Sequence, residues 1–268
     1  MFKKIAGVFS RKKEDKKPHT IGLALGGGGA RGFIHLGIVK ALKERGLDPS
    51  IISGTSAGAI VGAFLAAGKD PENILDLLKE KNLFGYSRIN WPKEGLFKLD
   101  GLQATLEKEI EYEKMEDLPI PFYATASNLN TGRVHYFQQG NLAQIVTASS
   151  SIPFIFNPVT IDGAKYVDGG VLDNLPIAPL TDRVENIIAV NISPIEKSDE
   201  LDSMVKIAGR VFQMSVSAQT HSRKEKCMLF LEPQGVRGYE LFDVKKADEL
   251  FELGYKHVMD LNFDPAEH

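Results

Sequence analysis

With 268 residues, the chain is long enough for one large α/β domain or two smaller ones, and it can bury a substantial core without covalent cross-links. Its hydrophobic fraction of 43%, its charged fraction of 25% and its net charge of −3 are those of an ordinary globular protein, with no overall bias toward nucleic acid. Cys227 is the only cysteine, which excludes an internal disulfide and Cys-based zinc sites and leads us to expect a cytoplasmic location.

The first residues differ from the rest in charge. Residues 1–17 carry seven lysines and arginines against two acidic residues, a local net charge of +5. Phe2, Ile5 and Phe9 recur at helical spacing beside the lysines, so this segment is predicted either to contact an anionic membrane surface or to be a solvated tail. We therefore divide the chain into a basic arm, residues 1–18, and one folded domain, residues 19–268.

Hydrophobic periodicity and turn signals predict strands that alternate with helices along the domain. Strands are predicted, in chain order, at 21–25, 51–53, 121–126, 133–137, 159–161, 165–167, 186–191 and 228–231. Helices are predicted at 33–45, 59–67, 70–81, 100–110, 142–149, 204–215 and 247–258. Residues 82–99 are less regular and rich in aromatic residues, which fits a packed loop, a flap over an apolar site or an interfacial patch. The alternation predicts a three-layer α/β/α fold with a mainly parallel central sheet.

A glycine-rich loop follows the first predicted strand. Residues Gly27 to Gly32 match G-x-G-x-x-G between a strand and a helix, as in a dinucleotide-binding oxidoreductase. That fold expects an acid after the second strand, whereas Asp48 precedes it. The alternative is a nest of backbone N–H groups for an oxyanion, supplied by Gly27, Gly28 and Gly29. Arg31 either orients the loop, meets an anionic head group or is a surface charge.

The second predicted strand ends in Gly54-Thr55-Ser56-Ala57-Gly58, and an apolar helix is predicted to follow. This is a G-x-S-x-G motif in the strand–turn–helix context that exposes a serine, so Ser56 is a candidate nucleophile. Gly54 and Gly58 are needed because side chains there would collide with the neighbouring elements. Two alternatives remain: a purely structural turn, and a membrane-spanning helix over the uncharged residues 49–68.

A serine nucleophile needs a base. His35 follows the glycine-rich loop, where helix packing is the simpler role, and His257 falls late in the chain but inside a predicted helix. Asp168 ends a predicted strand, and Gly169 and Gly170 would expose its carboxylate. Spacing alone leaves Asp168 open between a base and an ordinary Asp-Gly turn.

Three motifs in this order resemble those of the patatin-like phospholipase family. The loop from Gly27, with Arg31 and Gly32, resembles its oxyanion loop, and the motif around Ser56 resembles its nucleophile turn. The stretch from Asp168 to Pro176 resembles its D-G-[GA] motif, and residues 149–156 resemble the segment before it. The resemblance covers about residues 21–180, and the compact length and the surroundings of His35 resemble bacterial members.

The resemblance implies a Ser56–Asp168 dyad that hydrolyses lipid acyl esters without a metal or cofactor. Phe154 and Phe156 then either line an acyl channel or pack in the core. An oxidoreductase and a non-catalytic lipid-binding module stay open as alternatives.

Overall fold

A mainly parallel eight-stranded sheet forms the centre of the protein, in a computed structural model that describes residues 19–81, 99–194, 220–239, 244–263 and four helical positions at 207, 210, 211 and 214. The strands are β1 His19–Leu25, β2 Ile51–Thr55, β3 Phe122–Asn128, β4 Arg133–Phe137, β5 Val159–Ile161, β6 Ala164–Asp168, β7 Val184–Val190 and β8 Leu229–Leu231. The α-helices with described bounds are α1 Phe33–Glu44, α2 Ala57–Ala66, α3 Pro71–Lys81, α4 Asp100–Glu109, α5 Leu142–Ser149 and α6 Ala247–Met259.

The sheet combines a parallel centre with an antiparallel end. Strands β8, β7, β1, β2 and β3 run parallel in that order, while β4 and β6 are antiparallel to β3, and β5 is antiparallel to β6. All five residues of β2 are buried, which is why this strand reads as an uninterrupted apolar and small-residue segment. The α/β fold with a mainly parallel sheet is therefore confirmed.

Alternate residues of the central strands enter two separate cores. Leu23 and Leu25 of β1 pack in the larger core with the apolar sides of the helices, whereas Ala24 faces a smaller core on the other side of the sheet. Leu175, Ile177 and Leu180 supply that smaller core from the segment after β6. This division follows from the two-residue repeat of a strand.

Helices α1 and α6 cross with their backbones in contact. A methyl group added at Gly37 of α1 would lie 1.9 Å from the carbonyl oxygen of Phe251, and one added at Gly254 of α6 would lie 2.3 Å from that of Ile34. Arg45, just after α1, donates to the carbonyl oxygens at the end of α6 and just beyond it. The last helix is thereby fixed to the first.

The predicted strands and both hairpins agree with the structure to within a few residues. The helix predicted at 204–215 is described only at its four helical positions, and the calls on the arm, residues 1–18, and on residues 82–98 lie outside the described residues. The spanning-helix alternative for residues 49–68 is wrong, because this stretch forms β2, a turn and α2. None of the helices in the described part of the chain has the length and apolar character to cross a bilayer.

Candidate active site

The register of the sheet brings Ser56 and Asp168 together. Thr55, the last residue of β2, pairs with Thr125 of β3, and Asp168, the last residue of β6, pairs with the next β3 residue, Ala126. Strand β4 pairs with Thr125 and Ala126 along one edge of β3. Strands β2 and β6 therefore share the other edge of β3, and β6 begins to pair where β2 ends. Ser56 and Asp168, 112 positions apart in the sequence, are therefore neighbours at the carboxyl end of β2.

Ser56 occupies a strained turn between β2 and α2. Its backbone has φ 54° and ψ −120°, which is unfavourable for a residue with a side chain. The turn is closed by glycines: a methyl group at Gly58 would lie 2.1 Å from the carbonyl oxygen of Leu25, and one at Gly54 would lie 2.3 Å from that of Gly58. The predicted reason for both glycines is confirmed, and Ser56 stands at the positive end of α2.

Asp168 is a buried carboxylic acid with a perturbed pKa. Burial raises its pKa to about 7, while the Ser56 side chain and the Gly170 amide both favour the charged form. Oδ1 accepts a hydrogen bond of 2.7 Å from Gly170 N, and Oδ2 has no partner with hydrogen-bond geometry among the described residues. Gly169 allows this close approach, because a methyl group there would lie 2.3 Å from the carbonyl oxygen of Thr125. The Gly170 amide thus anchors one carboxylate oxygen, and the Ser56 side chain lies close enough to favour the charged form.

The glycine-rich loop lies beside Ser56, but its three predicted donors are not equivalent. The Gly27 amide donates to the carbonyl oxygen of Asn174 at 3.2 Å, so this predicted oxyanion donor is already engaged within the protein. The Gly28 and Gly29 amides meet no acceptor in the described part of the chain. A methyl group at Gly27 would lie 3.1 Å from Cβ of Ser56, so glycine is required there for close approach.

Several side chains hold the glycine-rich loop in place. Arg31 donates from Nε and Nη2 to the carbonyl oxygen of Tyr239, at 2.9 and 2.7 Å, which is the loop-orienting alternative for this residue. The hydroxyl group of Ser193 and the amide of Asn174 donate to the carbonyl oxygen of Gly27. Gly32 is buried at the end of the short 3₁₀ turn Gly29–Gly32, directly before α1.

The histidines hold other positions. His35 is fully buried in α1, burial lowers its pKa to about 4, and the neutral ring donates from Nε2 to the carbonyl oxygen of Gly26 at 2.7 Å. It therefore supports the start of the loop. His257 lies near the end of α6, which packs against α1. Within the described residues, no group of three or more His, Cys, Asp or Glu side chains is arranged to hold a metal ion.

Sequence reasoning missed two groups of supporting residues. Ser149 and Ser150 contact the backbone of Ser56, whereas the sequence indicated the end of a helix and a resemblance to the family segment before the D-G-[GA] motif, with no role for either side chain. Asp173 is buried and accepts hydrogen bonds from Tyr136 Oη, at 2.6 Å, and from Arg223. These partners are far apart in the sequence, and no local pattern signals their contact.

The two phenylalanines assigned to a channel or to the core have different environments. Phe156 is buried, with 3% of its surface exposed, whereas Phe154 is 72% exposed and has a positive φ of 68°. Phe156 is therefore a core residue, and Phe154 presents an apolar side chain to solvent.

A serine on a sharp strand–helix turn, beside a buried acid and a glycine-rich loop, is a nucleophile-type site on an α/β fold. The family model for patatin-like phospholipases matches residues 23–181, which is more than half of the chain. The chain belongs to the patatin-like phospholipase family, and the resemblance of its motifs is confirmed.

Two relatives of this chain are similar to it in sequence. An uncharacterized NTE family protein of Mycobacterium tuberculosis is 32% identical over 211 residues, which cover 74% of this chain and 59% of the relative. Lysophospholipase NTE1 of Kluyveromyces lactis is 27% identical over 289 residues, which cover 96% of this chain and 20% of the relative. The chain thus spans less than two thirds of the length of these relatives.

The crystal structure of VipD from Legionella pneumophila has a TM-score of 0.50 and 19% identity to this chain, and the match covers 90% of this chain and 66% of that one. This likeness supports the fold alone.

Proposed function

We propose that the protein is a serine lipid acyl hydrolase of the phospholipase A or lysophospholipase type, with Ser56 as nucleophile and Asp168 as base. The observation that carries this proposal is the meeting of Ser56, on its strained turn, with a fully buried carboxylic acid whose pKa is raised to about 7. Membership of the patatin-like phospholipase family and the similarity to lysophospholipase NTE1 support the substrate class.

In the proposed reaction, Asp168 accepts the proton of the Ser56 hydroxyl group while Oγ attacks the acyl carbonyl carbon. The amides of Gly28 and Gly29 stabilise the resulting oxyanion, and each such donor contributes about 100- to 1,000-fold to the rate. The ester C–O bond then breaks, and Asp168 returns the proton to the leaving alcohol. Water, deprotonated by Asp168, attacks the acyl-enzyme, and the fatty acid leaves as Ser56 regains its proton.

The oxidoreductase alternative is less well supported. The end of the second strand carries the Ser56 turn where the dinucleotide-binding fold expects an acid. Three further proposals rest on the sequence: catalysis without a metal or cofactor, peripheral membrane contact through residues 1–17, and a cytoplasmic location.

The experiment measures hydrolysis of a chromogenic acyl ester and of a lysophospholipid, with EDTA present, by the wild type and by Ser56→Ala and Asp168→Asn. Both variants are expected to lose at least about 1,000-fold in kcat while remaining folded, because each removes a group that takes part in the bond-making step. Ser50→Ala and Asp162→Asn are matched controls. Ser50, directly before β2, donates from its hydroxyl group to the carbonyl oxygen of Ile21 in β1, and Asp162 is exposed in a turn.

A folded and active Ser56→Ala variant would reject Ser56 as nucleophile. A wild type that binds lipid vesicles but releases no fatty acid from any ester would favour the lipid-binding module. Activity that depends on NAD(P) and ignores Ser56→Ala would restore the oxidoreductase.

A further inference from the structure

The turn that ends α5 contacts both members of the proposed dyad, although it lies in neither of their motifs. Ser149 Oγ accepts a hydrogen bond from Ser56 N at 3.0 Å, and Ser150 Oγ donates to the carbonyl oxygen of Ser56 at 3.4 Å. The carbonyl oxygen of Ser151 accepts from Asp168 N at 2.9 Å. Three consecutive residues thus bind the backbones of the two residues that must exchange a proton.

These contacts fall on the strained part of the site. Ser56 has a φ of 54° and is the N-cap residue of α2. Its N–H therefore has no acceptor within that helix and needs one from another part of the protein. Ser149 supplies it from a fully buried position, and the Ser56 carbonyl oxygen also accepts from Ala59 N and Ile60 N. An unfavourable backbone conformation persists only where its surroundings hold it. The Ser149 hydroxyl group is one such support.

We propose that Ser149 is a positioning residue for catalysis, whose hydroxyl group holds the peptide of Ser56 so that its side chain faces the carboxylate of Asp168. This inference rests on the proposed hydrolase function. Ser150 supports the following peptide group, which contains the Ser56 carbonyl, and Ser151 fixes the position of Asp168 through its main chain. Without the acceptor at Ser149, the Thr55–Ser56 peptide loses the hydrogen bond that fixes its N–H, and the Ser56 hydroxyl group is expected to shift relative to the carboxylate.

The test compares Ser149→Ala with Thr147→Val. Both residues are buried in α5, and each substitution removes one hydroxyl group, but Thr147 Oγ1 donates back along its own helix, to the carbonyl oxygen of Ala143 at 2.7 Å. For Ser149→Ala we expect kcat to fall about 10- to 100-fold with KM within about threefold of the wild type, because a displacement of about 1 Å at a reacting group has an effect of this size. Thr147→Val is expected to keep the wild-type kcat.

A second readout separates positioning from a general loss of stability. The Ser56 side chain lowers the pKa of Asp168, so loss of that contact moves the midpoint of the pH–rate profile upward in Ser149→Ala. Thr147→Val leaves the midpoint in place. The rate of covalent labelling of Ser56 by a fluorophosphonate should fall in parallel with kcat.

The proposal is overturned if Ser149→Ala and Thr147→Val have the same kcat and the same midpoint. Should Ser149→Ala fail to fold, Ser149→Cys keeps the volume with a weaker acceptor and should show an intermediate loss of kcat, and wild-type kinetics in that variant would reject the proposal. An inactive wild type would instead refute the proposed function, which distinguishes the two failures.

Discussion

At the scale of single residues, Asp168 is the group whose ionisation controls the proposed chemistry. Burial raises its pKa to about 7, well above the ordinary aspartate value, whereas burial lowers that of His35 to about 4. The same physical cause shifts the two pKa values in opposite directions, because burial disfavours the charged form of each group.

This separation predicts the pH dependence of hydrolysis. A base must be unprotonated, so kcat/KM should rise with pH to a plateau above about 7 and fall about tenfold for each pH unit below it. His35→Gln retains an N–H donor for the carbonyl oxygen of Gly26 and should keep the midpoint near 7. A midpoint near 4, or one that moves in His35→Gln, would show that Asp168 is not the controlling base.

At the scale of elements, the crossing of α1 and α6 is closed by glycines on both helices. Gly37→Ala should lower the free energy of unfolding by at least about 2 kcal/mol, since its methyl group would meet backbone that cannot rotate away. Gly101→Ala in α4 is the matched control: among the described residues, nothing outside the helix's own backbone lies within 4 Å of the added methyl group, so we expect a change within about 1 kcal/mol. Urea denaturation measures both, and equal stabilities would contradict the close crossing.

At the scale of the whole molecule, the family motifs do not by themselves form a complete fold. The motif-bearing residues end near 181, but β7 pairs with β1 along its length, β8 follows β7, and α6 covers α1. Ser193, also beyond the motifs, donates to the glycine-rich loop. The later residues therefore take part in the same core and support the same site.

We therefore predict that a chain of residues 19–181 does not fold cooperatively, whereas residues 19–268 do. The shorter chain leaves one edge of β1 unpaired and the apolar surface of α1 uncovered. Near-ultraviolet circular dichroism and the slope of urea unfolding report the difference. A cooperative transition in the shorter chain, with retained hydrolysis, would show that the motif-bearing part is autonomous.

Much of this organisation is local in origin and therefore readable in the sequence. Alternating strands and helices, the two hairpins and the turn at Ser56 each depend on residues that are close in the chain. Local sequence was not enough to predict Asp168 as the base, because an Asp-Gly pair also occurs in ordinary turns. Only the resemblance of three motifs in order favoured that prediction.

The details of the site were decided by tertiary structure. Asn174, 147 positions from Gly27, donates to the carbonyl oxygen of Gly27 and accepts from its amide, so the proposed oxyanion role is given to Gly28 and Gly29. Ser149, 93 positions from Ser56, completes the nucleophile turn. The sequence by itself determined which elements form and which residue types stand at their ends. Their partners depend on the register of strands distant in the chain, because a shift of one residue in that register would separate Ser56 from Asp168.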